Sequence, residues 1–143
     1  MKIRLYTHLN SPEHTYLNST VILKSARARV PTNFIMDTGS TKTIINYDDA
    51  RRLQLPFDNK ADIIALGGRN YNGYIYKRLK MIFRTEDGGL VEEEMDVILL
   101  RPTSDKKMQL SPTIIGTDFL KEKGYKLFCD MAKDVAFLEK DSS

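Results

Sequence analysis

The chain has 143 residues, 41% hydrophobic and 29% charged, with a formal net charge of +3; those proportions belong to an ordinary globular protein, and the length fits one domain, 1–143, since domains most often run to ~100–150 residues. The charge is dispersed in short clusters, Arg27/Arg29, Arg51/Arg52, Lys77/Arg78/Lys80 and Lys106/Lys107, interleaved with acidic or apolar residues, which argues against a nucleic-acid-binding stripe. No apolar run reaches the ~18–20 residues of a membrane span, and Met1-Lys2-Ile3-Arg4 leads into no signal-peptide core, so the expectation is a cytoplasmic protein that binds neither membrane nor nucleic acid.

In chain order, residues 3–9 alternate apolar and polar with period two and are broken by Asn10-Ser11-Pro12, the pattern of an edge strand. A second strand is expected over 20–23 and a third over 30–36, which delivers Asp37. Asp37-Thr38-Gly39-Ser40 are turn residues, and Thr43, Ile44 and Ile45 resume an apolar β-branched segment. Asp37 is thus expected at the tip of a loop pinned between two buried strands. Asn46 or Asp48 then caps a short helix carrying Ala50, Leu53 and Leu55, stopped by Pro56.

Residues 61–66 form a strand and 71–76 a returning one, with two rival turns between them, Gly67-Gly68 and Asn72-Gly73. A further strand over 78–84 places Leu79, Met81 and Phe83 on one face, and Glu86-Asp87-Gly88-Gly89 turns it back into 90–100. Residues 101–111 are a polar loop. Ile114-Ile115 is a short buried strand, Thr117 caps a turn of helix ended by Gly124, and strands over 125–129 and 135–138 follow. Many short strands with one or two short helices make an all-β, barrel-like fold. The single cysteine, Cys129, is expected as a buried structural thiol, and His8 and His14 as surface residues, since nothing completes a metal site around them.

Two stretches carry chemistry. The first is Phe34-Ile35-Met36-Asp37-Thr38-Gly39-Ser40; the second, further along, is Ser111-Pro112-Thr113-Ile114-Ile115-Gly116-Thr117-Asp118-Phe119-Leu120. Asp-Thr-Gly alone recurs by chance. Both pieces in this order resemble the retropepsins, the aspartic proteases of the retroviral kind, in which an Asp-Thr-Gly-Ala/Ser loop and a flap hairpin precede an Ile-Ile-Gly segment that packs beside the loop. The resemblance covers roughly residues 20–129. It implies a closed barrel, a two-fold symmetric homodimer, a peptide or protein substrate, and no metal or cofactor. It also favours Gly67-Gly68 over Asn72-Gly73 as the hairpin tip.

Peptide hydrolysis by water needs a general base and a general acid, and two adjacent carboxylates sharing one proton supply both. This chain has one Asp-Thr-Gly, so the second carboxylate is expected from Asp37 of a second copy. The resemblance then implies that Asp37 holds the water, Thr38 bonds across the two-fold axis, Gly39 offers its N–H near the carboxylate, and Ser40 bonds the outer carboxylate oxygen. Leu66, Gly67 and Gly68 form the mobile flap tip, and Ile114, Ile115 and Gly116 back the loop. Viral members end near the position of Cys129 in a strand of an intersubunit sheet, whereas this chain continues through 130–143; its flap also lacks their Ile-Gly-Gly-Ile-Gly-Gly pattern, so it is more similar to cellular or prokaryotic relatives. The alternative is a catalytically silent module of the same fold that binds peptides or dimerises.

Overall fold

Period-two alternation builds the barrel wall. The computed structural model describes residues 1–7, 16–66, 68–103 and 111–141. In β2 (Leu17–Lys24) Val21 and Leu23 point inward and are buried, while Ile22 and Lys24 face outward. The same alternation puts Leu79, Met81 and Phe83 inside on β6 (Arg69–Arg84). Between them in the sequence lie β3 (Arg29–Met36), β4 (Ile44–Ile45), helix α1 (Tyr47–Arg52) and β5 (Lys60–Leu66). After β6 come β7 (Leu90–Pro102), β8 (Thr113–Ile115) and helix α2 (Thr117–Lys123).

The strands are hydrogen-bonded in the order β2-β3-β8-β4-β7-β6, and β6 pairs back onto β2 from Val21↔Phe83 to Lys24↔Lys80, which closes a six-strand barrel. Two of its pairings, β3 with β8 and β4 with β7, are parallel. β5 extends beyond the ring as the hairpin partner of β6. A separate three-stranded sheet takes β1 (Lys2–Leu5) at one edge, β10 (Val135–Glu139) in the middle and β9 (Lys126–Asp130) at the other edge. The edge position expected for the first strand is observed. The residues past Cys129 therefore supply the central strand of a sheet built within one chain.

Aromatic rings fill the barrel: Phe34 meets Phe83 edge-on at 5.8 Å, and Phe119 from α2 stacks on Tyr125 at 5.1 Å. Phe34, Phe83 and Phe119 are fully buried, each burial favouring the fold by roughly 1.5–3 kcal/mol. At the start of α1 the Asn46 side chain accepts the Asp49 N–H at 2.8 Å, so Asn46, not Asp48, is the cap.

Several expectations are corrected. The strands placed over 71–76 and 78–84 are one strand, β6, carried through a register shift between Tyr76 and Leu79; Arg78 there has φ 61° and donates its N–H to Asp96 Oδ1 at 3.0 Å. Asn72-Gly73 lies inside β6, where a Cβ on Gly73 would stand 2.8 Å from the Asp62 carbonyl oxygen, so this glycine answers a close approach of β5 rather than a turn. Gly116, not Thr117, is the cap of α2, because Thr117 has already entered the first turn. Cys129 is exposed rather than buried; it lies on β9, an edge strand of the three-stranded sheet. His8, His14, Lys106 and Lys107 lie outside the described residues.

Candidate active site

Asp37 follows the last residue of β3 and is held by its neighbours in the sheet. Its N–H donates to the Ile115 carbonyl at 3.1 Å, continuing the parallel β3–β8 ladder by one bond. Its carbonyl accepts the Ser40 N–H at 3.1 Å, which closes the turn, and the Gly39 N–H donates to carboxylate Oδ1 at 2.8 Å. Asp37 itself is half-buried, and Thr38 and Gly39 are exposed. The result is a carboxylate presented at a surface from a turn that has little freedom.

The Ser40 hydroxyl does something different from the expectation: it donates to the Lys42 carbonyl at 2.7 Å rather than to the Asp37 carboxylate. Its carbonyl accepts the Thr117 N–H at 2.8 Å, tying the loop to the start of α2. Gly116 makes that contact possible. A Cβ there would fall 2.5 Å from the Lys42 oxygen and 2.7 Å from the Ser40 oxygen, so any side chain would push the loop away.

Two residues missed as functional candidates lock this arrangement. Thr43 is fully buried; its hydroxyl donates to Asp118 Oδ1 at 2.8 Å and accepts the Gly116 N–H at 3.2 Å. Its own N–H donates to Asp118 Oδ2 at 3.0 Å, and Oδ1 also accepts the Phe119 N–H at 2.8 Å. Both oxygens of Asp118 are thereby engaged, with a helix N-terminus favouring its charge. The available signal was an acid in the first turn after the Ile114-Ile115-Gly116 run, without anything to name its partner.

Ile114 and Ile115, neighbours on β8, point into different clusters. Ile115 belongs to the main barrel core. Ile114 packs with Ile44, Tyr71 and Leu100 in a second apolar cluster, against which Ile64 and Leu66 of the β5–β6 hairpin lie. Leu66 ends β5 opposite Arg69, and Gly68 in the turn between them has φ 76°. Gly67 lies outside the described residues. Among the described residues no group of His, Cys, Asp and Glu is arranged to hold a metal ion, and no helix is long and apolar enough to cross a membrane.

The family model described as "gag-polyprotein putative aspartyl protease" matches residues 27–122, more than half of the chain and a span that includes both the Asp37 loop and Ile114-Ile115-Gly116. The chain belongs to this aspartyl protease family. No curated protein sequence matches it. Solved structures share the fold of this family member at low identity. A retropepsin-like aspartic protease from Rickettsia conorii aligns with a TM-score of 0.59 at 14% identity, covering 96% of this chain and 90% of the other. The EIAV protease complexed with the inhibitor HBY-793 aligns with a TM-score of 0.52 at 16% identity, covering 85% of this chain and 100% of the other. The closed barrel expected from the sequence is thus the retropepsin fold.

Proposed function

We propose that the chain is a single-domain aspartic endopeptidase whose active site forms when two copies bring their Asp37 carboxylates together across a two-fold axis. The observation that carries this reading is the Asp37 turn. Its carboxylate is half-exposed and held by the Gly39 N–H, while the other acid of the two motifs, Asp118, is engaged by Thr43 and Phe119. The second carboxylate therefore comes from another copy. Together the pair holds one shared proton, so that one carboxylate takes a proton from water as it attacks the peptide carbonyl and the other gives a proton to the carbonyl oxygen; the proton then passes to the leaving amine.

In this reading exposed Thr38 reaches across the axis, and the hairpin bearing Leu66, Gly67 and Gly68 closes over the substrate. Ile44 and Ile114 are buried in one apolar cluster on which the hairpin residues Ile64 and Leu66 pack, so the hairpin is seated on the strand that backs the Asp37 loop. Ile115 and Gly116 hold the loop from behind. The test is Asp37→Asn, which nearly preserves shape and removes the acid and base. Cleavage of a mixed peptide library is lost while mass in the ultracentrifuge and circular dichroism stay those of the unaltered chain. Full cleavage by the purified variant would end the proposal; an unaltered chain that binds library peptides and leaves them intact would place it among silent members of the fold.

A further inference from the structure

Lys24 has a cation on each side. It stands opposite Arg29 on β3 and opposite Lys80 on β6, and directly opposed residues share a face of the sheet. Like charges so placed are destabilising. No ion pair among the described residues relieves them: Glu94, the acid opposite Lys80 on its other side, is engaged by Arg78. Nor does any ion pair among the described residues include Arg84 or Arg4, although the Arg4 guanidinium lies over the Tyr6 ring at 5.1 Å.

One row along, the same outer face carries Ile22 opposite Ile82, both only partly buried. Beside them a depression of about 670 Å³ opens between β1 and the β6–β7 turn, with Thr20, Ile22 and Ile82 in its lining and Arg4 and Arg84 at its sides. Leu90 and Tyr6 also line it and are 68% and 49% exposed. Glu86 is the acid of the lining. A merely solvated face explains scattered charge, but neither opposed lysines nor an apolar floor beside guanidinium groups that no described acid pairs.

We propose that this outer face of β2 and β6 docks an extended polypeptide segment that presents acidic and apolar side chains in turn along one of its sides. An extended chain places every second side chain on one side, so along that side the apolar ones seat on Ile22 and Ile82 while the acidic ones reach Lys24, Lys80 and Arg84. The surface is separate from Asp37: Pro31, the residue opposite Ile22, is in the middle of β3, whereas Asp37 follows its end. In a peptide hydrolase it would retain a substrate chain away from the bond being cut. The inference does not depend on hydrolysis, because binding is measured without cleavage.

The experiment titrates the full chain into three labelled peptides with Ser at every second position and, at the positions between, Glu alternating with Val, Glu with Ser, or Lys with Val, and into a single-stranded oligonucleotide, following fluorescence anisotropy. The Glu/Val peptide binds in preference to the others and weakens at high salt. Lys80→Glu with Arg84→Glu, both at exposed positions, lowers its affinity by about tenfold, as reversing charges around an apolar contact does, with the circular dichroism of the folded chain retained. Ile82→Thr, which keeps a β-branched side chain, weakens it as well. Equal binding of the Glu/Ser peptide or the oligonucleotide would reduce the face to a non-specific polyanion surface and overturn the proposal. Unchanged affinity in the charge-reversed chain would also overturn it.

Discussion

The Thr43 hydroxyl and the Asp118 carboxylate meet at 2.8 Å although 75 positions separate them, and between them they fix the loop that carries Asp37 to the first turn of α2. Thr43 is fully buried. Thr43→Val keeps its shape but leaves the Gly116 N–H without its acceptor and Asp118 Oδ1 short of one donor. The expected loss is about 1–3 kcal/mol of stability, the usual cost of stranding buried polar groups, measured by urea unfolding. Peptidase activity falls mainly in kcat, since the substitution loosens the Asp37 turn without touching the apolar cluster around Ile114.

If each site needs Asp37 from two copies, activity per chain falls on dilution below the dimer dissociation constant. Adding excess Asp37→Asn chains depresses it further by forming mixed pairs with one carboxylate. Both effects need subunits to exchange, so the mixtures are preincubated, and substrate is kept low because it favours the pair. Specific activity against total concentration, with mass by light scattering, is the measurement. A monomer at full specific activity would place the second catalytic group within one chain.

A carboxylate pair works while it holds one shared proton, so cleavage is expected to favour acidic to mildly acidic pH and to decline as that proton leaves. Peptide mimics with a hydroxyl at the scissile position inhibit. Chelators and thiol reagents are expected to have little effect, because the proposed carboxylate mechanism has no step for a metal or for Cys129, which lies on the edge strand β9. Rates across pH, with and without each reagent, check all three.

Away from the loop, the Tyr125 hydroxyl donates to Glu93 Oε2 at 2.6 Å, and Lys140 Nζ donates to the same oxygen at 3.0 Å. Burial, then the hydrogen bond and the charge of Glu93, hold the Tyr125 phenol well above its ordinary range. A raised value in the folded state means that this contribution is complete below the unfolded value and is lost as pH rises. Stability is therefore expected to fall above about pH 10, where an unfolded tyrosine ionises. Tyr125→Phe lowers stability at neutral pH by about 1 kcal/mol and makes the alkaline decline shallower, as urea midpoints across pH will show.

Much of this was legible locally. The apolar run ending at Asp37, the Asn46 cap and the Gly124 stop each depend on neighbouring residues, and each is found in place. What escaped depends on distant partners. Nothing around Lys77-Arg78 tells of a register shift, because β7 imposes it through the Asp96 carboxylate. That β9, which carries the exposed Cys129, is an edge strand is a property of sheet order. The Thr43–Asp118 contact was illegible for the same reason, since each residue is unremarkable until the fold joins them.

β8 lies between β3 and β4, strands adjacent in sequence but not in space. During synthesis on the ribosome β3 and β4 emerge long before β8, and until then the Asp37 N–H lacks its Ile115 acceptor and Thr43 lacks Asp118. The nascent chain thus carries Asp37 in an unfinished loop for most of translation. Its maturation is timed by the late emergence of β8 and α2, so a copy whose synthesis stops early is left without the supports of its Asp37 turn.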